Sequence, residues 1–162
     1  MMKNIKRLQK EMVENETPSQ YFYIQPLAND ILNWHFTFIG PEGTEYEGGI
    51  YHGYFLLPPD YPLSPPDIYY LNESGRYQPN TKICLTITSY HTSDWTPAWS
   101  LRTMMEAASA YFVVDGDGIA SMKSTPEKRK ELAKKSRNYK CPHCGFVSDI
   151  EKVILKARKS SK

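Results

Sequence analysis

The sequence lacks any long apolar run, and it is poor in cysteine. No stretch approaches the roughly 18 consecutive apolar residues that a membrane-spanning helix requires, and residues 1–7 lack the apolar segment of a secretory signal. We therefore expect no membrane segment in these residues. The three cysteines cannot all pair within one chain, so we interpret them as thiols of a reducing compartment. The expected location is cytoplasmic.

A strong charge of one sign is also absent. The 162 residues carry a formal net charge of +2, which is too small to attract nucleic acid or a membrane surface by itself. Hydrophobic residues make up 40% of the chain and charged residues 23%, which is typical of one globular domain with a short appendage. We expect a core at residues 1–124 and a C-terminal segment, residues 125–162, that packs on the core or extends from it.

Two periodicities predict an α+β fold. Ile5, Leu8 and Met12 recur at helical spacing near the N terminus. Alternation typical of strands follows in residues 22–27, 31–39, 50–57 and 67–71, and the short links between them favour a four-stranded antiparallel meander. Helical spacing returns in residues 101–112, and a hydroxyl followed by proline at residues 125–126 predicts the start of another helix. The predicted architecture is a meander flanked by an N-terminal helix and C-terminal helices.

Two irregular segments connect these elements. Residues 58–66 contain five prolines, which predicts a rigid and exposed loop. Residues 73–98 show no sustained period and hold Cys84, His91 and Trp95. An irregular segment of this length is typical of a functional region.

These features, in this order, resemble the ubiquitin-conjugating enzyme family. Residues 59–66 look like the family's proline loop, residues 83–85 (Ile-Cys-Leu) look like its active-site tripeptide, and residues 95–98 (Trp-Thr-Pro-Ala) fall at the expected distance downstream. The usual His-Pro-Asn triplet is replaced by Gln-Pro-Asn at residues 78–80, close to the cysteine. This departure resembles the J-type branch, which is anchored in the endoplasmic reticulum membrane by a C-terminal tail.

The resemblance implies thioester chemistry. Cys84 would accept ubiquitin from the activating enzyme and pass it to a substrate lysine, or to serine or threonine, because a thiol can exchange an acyl group with another thioester. Asn80 is implied as the donor that stabilises the oxyanion, although an asparagine after Pro79 is equally consistent with a turn. His91 and Asp94 form an alternative pair of base and orienting acid.

The resemblance also implies partners, namely ubiquitin, the activating enzyme, a ubiquitin ligase and protein substrates, with no nucleic acid. The expected contacts with the activating enzyme are the basic residues of the first helix, Lys6, Arg7 and Lys10. Taken alone, however, a stripe of basic residues on a helix is more often a surface that contacts only solvent than a binding site. The expected ligase contacts are Leu63, Pro97 and Ala98. If a tail anchor follows residue 162, the resemblance implies a location on the cytosolic face of the endoplasmic reticulum. It also implies a role in endoplasmic-reticulum-associated degradation.

Cys141 and Cys144 have the spacing of half a zinc site, but tetrahedral closure needs two more ligands. Only His143 lies nearby in sequence, while His35 and His52 fall on predicted strands. A tight turn is therefore the favoured interpretation, and we expect no metal and no cofactor.

Two other functions are less consistent with the sequence than the enzyme. A non-catalytic ubiquitin-binding scaffold of the same fold is disfavoured because Cys84 is retained. A zinc-ribbon protein that binds nucleic acid would need a second cysteine pair and a basic, aromatic-rich face, and the sequence shows neither.

Overall fold

A computed structural model describes residues 4–83, 95–114 and 120–160. In chain order, the elements are α1 (Ile5–Glu14), β1 (Phe22–Leu27), β2 (Asp30–Ile39), β3 (Ile50–Leu56), β4 (Asp67–Tyr70), α2 (Leu101–Phe112), α3 (Pro126–Ser136), β5 (Lys140–Cys141), β6 (Gly145–Phe146) and α4 (Val147–Ser160). Strands β1 to β4 form one antiparallel sheet in sequential order. The predicted α+β architecture is confirmed.

The front of the sheet forms the main core. In β2, Trp34, Phe36 and Phe38 alternate toward this side and are buried. The apolar face of α2 completes the core, and the Phe112 ring lies 5.3 Å from the ring of Phe38. The apolar side chains that recur every two residues in β2 therefore pack against those that recur about every 3.6 residues in α2, as the apolar spacing predicts.

Side-chain caps fix the starts of α2 and α3. Ser100 and Thr103 form a capping box, in which each side chain accepts a hydrogen bond from the backbone N–H of the other. At α3, the Thr125 hydroxyl accepts from the Lys128 N–H at 3.1 Å, and Pro126 occupies the first turn. The helix start predicted at residues 125–126 is therefore confirmed.

The C-terminal elements cover the back of the sheet. Helix α4 contacts β1, β2 and β3, and its Ile150 and Ile154 pack against Ile39. The Ser136 hydroxyl at the end of α3 accepts a hydrogen bond from the Ile50 N–H at 2.9 Å. The division expected after residue 124 stays a prediction. Within the described ranges, no helix combines the length and apolarity needed to cross a membrane.

Candidate active site

Three of the predicted catalytic side chains lie outside the described residues: Cys84, His91 and Asp94. The residues on either side of this segment are hydrogen-bonded to the rest of the fold. Upstream, Ile83 is buried, and its N–H donates to the carbonyl of Ile68 in β4 at 3.1 Å. Downstream, the Trp95 indole N–H donates to the carbonyl of Pro62 at 2.8 Å. One flank is therefore held against β4, and the other against the proline loop.

Asn80 adopts a left-handed backbone conformation with φ of 59°. Asparagine tolerates this region better than most other residues. Its N–H donates to the carbonyl of Tyr70 at 2.8 Å, and the residue is exposed. The backbone conformation is consistent with the turn interpretation, and the role of the exposed carboxamide as an oxyanion donor stays a prediction.

The three predicted ligase contacts are all exposed: Leu63, Pro97 and Ala98. Leu63 has an exposed fraction of 73%, which is high for a large apolar side chain. The hydrogen bond from Trp95 to Pro62 ties the proline loop to the segment that carries Pro97 and Ala98. The structure thus supplies a rigid apolar surface, while its use by a ligase stays a prediction.

The predicted basic stripe of α1 separates into two kinds of residue. Lys6 and Lys10 are exposed. The Arg7 side chain is only 13% exposed, and its guanidinium donates to the carbonyl of Pro97 at 2.6 Å and to that of Trp99. Arg7 therefore holds α1 against the segment after Trp95, a positioning role that the sequence analysis did not identify.

Glu11 is the buried partner of Arg7, with an exposed fraction of 1%. Its carboxylate accepts from Arg7 Nε at 3.1 Å, from the Tyr61 hydroxyl at 2.5 Å and from the Leu101 N–H at 3.1 Å. Burial, followed by the Glu11 charge, raises the pKa of Tyr61. One carboxylate thus joins α1, the proline loop and the start of α2. The spacing of four residues between Arg7 and Glu11 was the available sequence signal.

A second chemically distinctive cluster lies on the back of the sheet: His35, His52, Cys141 and Cys144. One candidate ligand atom from each residue lies within 4.8 Å of the others. Burial lowers the pKa of His35 to about 4 and that of His52 to about 3, so both imidazoles are neutral at pH 7. Burial also raises the pKa of Cys144 to about 12. The turn interpretation set His35 and His52 aside because they lie on strands, whereas folding brings both histidines to the cysteine pair.

The meander, the proline loop and the tryptophan segment define an α+β domain in which the two ends of a cysteine-bearing segment are held against β4 and against the proline loop. The family model described as ubiquitin-conjugating enzyme matches residues 7–113. The chain belongs to the ubiquitin-conjugating enzyme family.

Relatives with known names refine this assignment. The chain is 41% identical over 158 residues to ubiquitin-conjugating enzyme E2 J1 of Homo sapiens, covering 97% of this chain and 49% of that protein. It is 34% identical over 145 residues to ubiquitin-conjugating enzyme E2 J2 of Homo sapiens, covering 90% and 56%. Similarity to the J-type branch is therefore confirmed. The chain spans about half the length of the curated relatives that it matches.

Solved structures agree on the fold. Human ubiquitin-conjugating enzyme E2 G1 matches with a TM-score of 0.58 and 27% identity, over 66% of this chain and 92% of that chain. The E2 domain of a Toxoplasma gondii ubiquitin-conjugating enzyme matches with a TM-score of 0.61 and 24% identity, over 96% and 95%. The second match bears on the fold alone.

Proposed function

We propose that this chain carries ubiquitin as a thioester on Cys84 and transfers it to a protein substrate. The observation that carries the proposal is the pair of flanks around residues 84–94, with Ile83 bonded to β4 and Trp95 bonded to the proline loop. The sequence places one cysteine between these flanks. Membership of the family supports the same chemistry.

The transfer consists of two acyl exchanges. The Cys84 thiolate attacks the thioester carbonyl of ubiquitin on the activating enzyme, and the cysteine of that enzyme leaves as a thiolate. A substrate amine or hydroxyl then attacks the new thioester, loses its proton to solvent or to a base, and releases the Cys84 thiolate. Each attack develops an oxyanion, which a positioned donor stabilises by about 3 kcal/mol in studied acyl-transfer sites.

Exposed residues of α1 and of the two loops supply the proposed partner surfaces. Lys6 and Lys10 face the activating enzyme, while Leu63, Pro97 and Ala98 face the ligase. A cavity of about 180 Å³ is lined in part by Lys10, Pro97 and Ala98, so the two surfaces adjoin. Reversing the charges of Lys6 and Lys10 should slow loading and weaken its salt dependence, because both residues are exposed and can contact a partner.

Similarity to the J-type branch supports a location in the cytoplasm, at the cytosolic face of the endoplasmic reticulum. The same similarity supports a proposed role in endoplasmic-reticulum-associated degradation. Fractionation of cells that express the whole protein, with protease protection of residues 1–162, tests this location. Protection inside sealed microsomes would contradict it.

The central test incubates the chain with ubiquitin, activating enzyme and ATP, followed by electrophoresis with and without reductant. Wild type should form an adduct that excess thiol cleaves, and Cys84→Ala should form none. Cys84→Ser is the matched control, because an ester resists thiol but yields to base. A wild-type chain that binds ubiquitin without any adduct would favour the scaffold function, and an adduct on Cys141 would contradict the assignment of Cys84.

The positive φ of Asn80 allows its two interpretations to be separated. Asn80→Ala alone cannot distinguish the turn from the oxyanion donor, because it removes the amide and also places a strained alanine at φ of 59°. Asn80→Gly relieves that strain, and Asn80→Asp keeps the side-chain shape, yet both remove the amide donor. If Asn80 stabilises the oxyanion, both variants should load normally but discharge to free lysine about 10²-fold more slowly. Slow discharge in Asn80→Ala alone would assign the residue to the turn.

His91 is the proposed base for transfer to hydroxyls, and Asp94 is its orienting acid. His91→Ala should flatten the pH dependence of discharge between about pH 6 and 8, where an imidazole titrates. The loss should be larger for a serine acceptor than for lysine, because a hydroxyl needs more help in losing its proton. An equal loss for both acceptors, with an unchanged pH profile, would exclude His91 from the mechanism.

A further inference from the structure

The back of the sheet carries buried polar side chains that ubiquitin transfer does not use. His35, Thr37 and His52 point away from the main core, yet each has an exposed fraction below 5%. In the strand register, Thr37 pairs with His52, and His35 pairs with Tyr54, so the two histidines are diagonal neighbours on one face. Buried imidazoles require partners for their ring nitrogens. The partners of these ring nitrogens therefore indicate what the cluster can bind.

The hydrogen bonds orient the two rings toward a common point. His52 Nδ1 lies 2.9 Å from the Thr37 hydroxyl, which can accept its proton. That arrangement leaves the lone pair of His52 Nε2 directed at His35 Nδ1, 3.2 Å away. A histidine that binds a metal through one ring nitrogen donates a hydrogen bond through the other, and the Thr37 hydroxyl can accept that bond from His52.

The hairpin of β5 and β6 brings two thiols to the same point. Cys141 Sγ lies 3.6 Å from His35 Nδ1, and it accepts a hydrogen bond from the His143 N–H at 3.4 Å. Gly145, directly after Cys144, has φ of 86°, which lets the hairpin close tightly. The hairpin turn therefore presents both cysteines on one side, next to the two imidazoles.

We propose that His35, His52, Cys141 and Cys144 bind one Zn²⁺ in a tetrahedral site. Zinc lies about 2.3 Å from sulfur and about 2.0 to 2.1 Å from nitrogen, so neighbouring ligand atoms of a tetrahedral site are about 3.3 to 3.8 Å apart. The separations of 3.6 Å between Cys141 Sγ and His35 Nδ1, and of 3.2 Å between the two imidazole nitrogens, lie within or close to this range. All four ligand atoms lie within 4.8 Å of one another, so a small contraction completes the site.

The charges also suit this ion. On binding, Cys141 and Cys144 release two protons to solvent, and the two neutral imidazoles contribute lone pairs, so the complex carries no net charge. A neutral complex is compatible with its surroundings, because Cys144 packs against the apolar cluster of Ile39, Ile150 and Ile154. Two nitrogen and two sulfur ligands in a tetrahedron select zinc over calcium or magnesium, which prefer oxygen.

The site would fasten the C-terminal segment to the sheet. His35 and Cys141 are 106 residues apart in sequence, so the ion closes a long loop between β2 and the hairpin. Because the unfolded chain has no preformed site, zinc binding contributes directly to the stability of the folded chain. The role is structural and independent of Cys84.

The test measures zinc in the full 162-residue chain, purified with reductant and without chelator. Elemental analysis should find one zinc per chain, and native mass spectrometry should show the mass of one Zn²⁺ less two protons. Cys144→Ser should lose the metal. His143→Ala and Cys84→Ser are the matched controls, since they remove a neighbouring imidazole and an unrelated thiol, and both should keep one zinc per chain.

A measurement on wild type keeps the test decisive if Cys144→Ser fails to fold. Exchange of the metal for Co²⁺ should give the intense visible absorption of a tetrahedral site, with a sulfur-to-cobalt charge-transfer band. A wild-type chain that retains no zinc after incubation with Zn²⁺ would refute the proposal and leave a hydrogen-bonded histidine pair. A disulfide between Cys141 and Cys144, or loss of zinc in Cys84→Ser, would also refute it.

Discussion

Glu11→Gln should destabilise the fold, because one buried carboxylate accepts hydrogen bonds from three elements. The glutamine oxygen can keep the bond from the Leu101 N–H at 3.1 Å. Its NH₂ group then replaces the oxygen that lies 3.1 Å from Arg7 Nε, so a donor faces a donor. The positive charge of Arg7 loses its counter-ion at a site where its side chain is only 13% exposed.

Removing one partner of a buried pair costs about 3 to 5 kcal/mol. Arg7 keeps its bonds to the carbonyls of Pro97 and Trp99, so we expect the low end of that range, about 3 kcal/mol. For a chain of this size, the midpoint of thermal unfolding should fall by about 6 to 12 °C. Urea titration at constant pH, followed by tryptophan fluorescence, measures the free energy of unfolding.

Glu16→Gln is the matched control, because Glu16 follows α1 and is exposed. It should change the free energy of unfolding by less than about 0.5 kcal/mol. Tyr61→Phe removes only the hydroxyl that donates to Glu11 at 2.5 Å, and it should cost about half as much as Glu11→Gln. A Glu11→Gln chain as stable as its Glu16→Gln control would show that the carboxylate does not hold these elements together.

Three further outcomes are expected. Arg76→Met should lower the free energy of unfolding by about 3 kcal/mol in urea titration, because the buried guanidinium donates at 2.7 to 3.0 Å to the carbonyls of Tyr111, Phe112 and Val114, at and just beyond the end of α2. An unchanged midpoint would contradict this role. Thr125→Ala should lower it by about 1 kcal/mol through loss of the α3 cap, while Thr125→Ser should not. Leu63→Ala should spare loading yet reduce ligase-stimulated discharge, whereas the control Leu56→Ala, also at an exposed leucine, should affect neither. Loss of loading in Leu63→Ala would show that Leu63 is a packing residue.

Local patterns predicted most of the architecture. The alternation around Phe36 and the spacing of Met104 were enough to place the sheet and α2, because periodicity reports which residues share a face. Each predicted strand boundary lies within one residue of the observed one. The cap at Thr125 was equally visible, since its chemistry is complete within four residues.

The features that sequence reasoning missed depend on contacts between distant segments. Periodicity put His35 on the polar face of β2, but it did not reveal what covers that face. Arg7 looked like its neighbours Lys6 and Lys10, since only the folded chain brings the carbonyl of Pro97 to its guanidinium. Residue type and spacing define a local surface, whereas its partner is set by the tertiary fold.

The hairpin of β5 and β6 and helix α4, which cover the back of the sheet, come last in the sequence. This order bears on how the chain folds during synthesis. Strands β1 to β4 leave the ribosome well before α4, which starts at Val147, so the back of the sheet is complete while nothing yet covers it. A row of large apolar side chains there would invite aggregation at that stage. His35, Thr37 and His52 are polar instead, so their side chains can hydrogen-bond to water until the hairpin and α4 are synthesised. Their chemistry thus suits both the growing chain and the finished one.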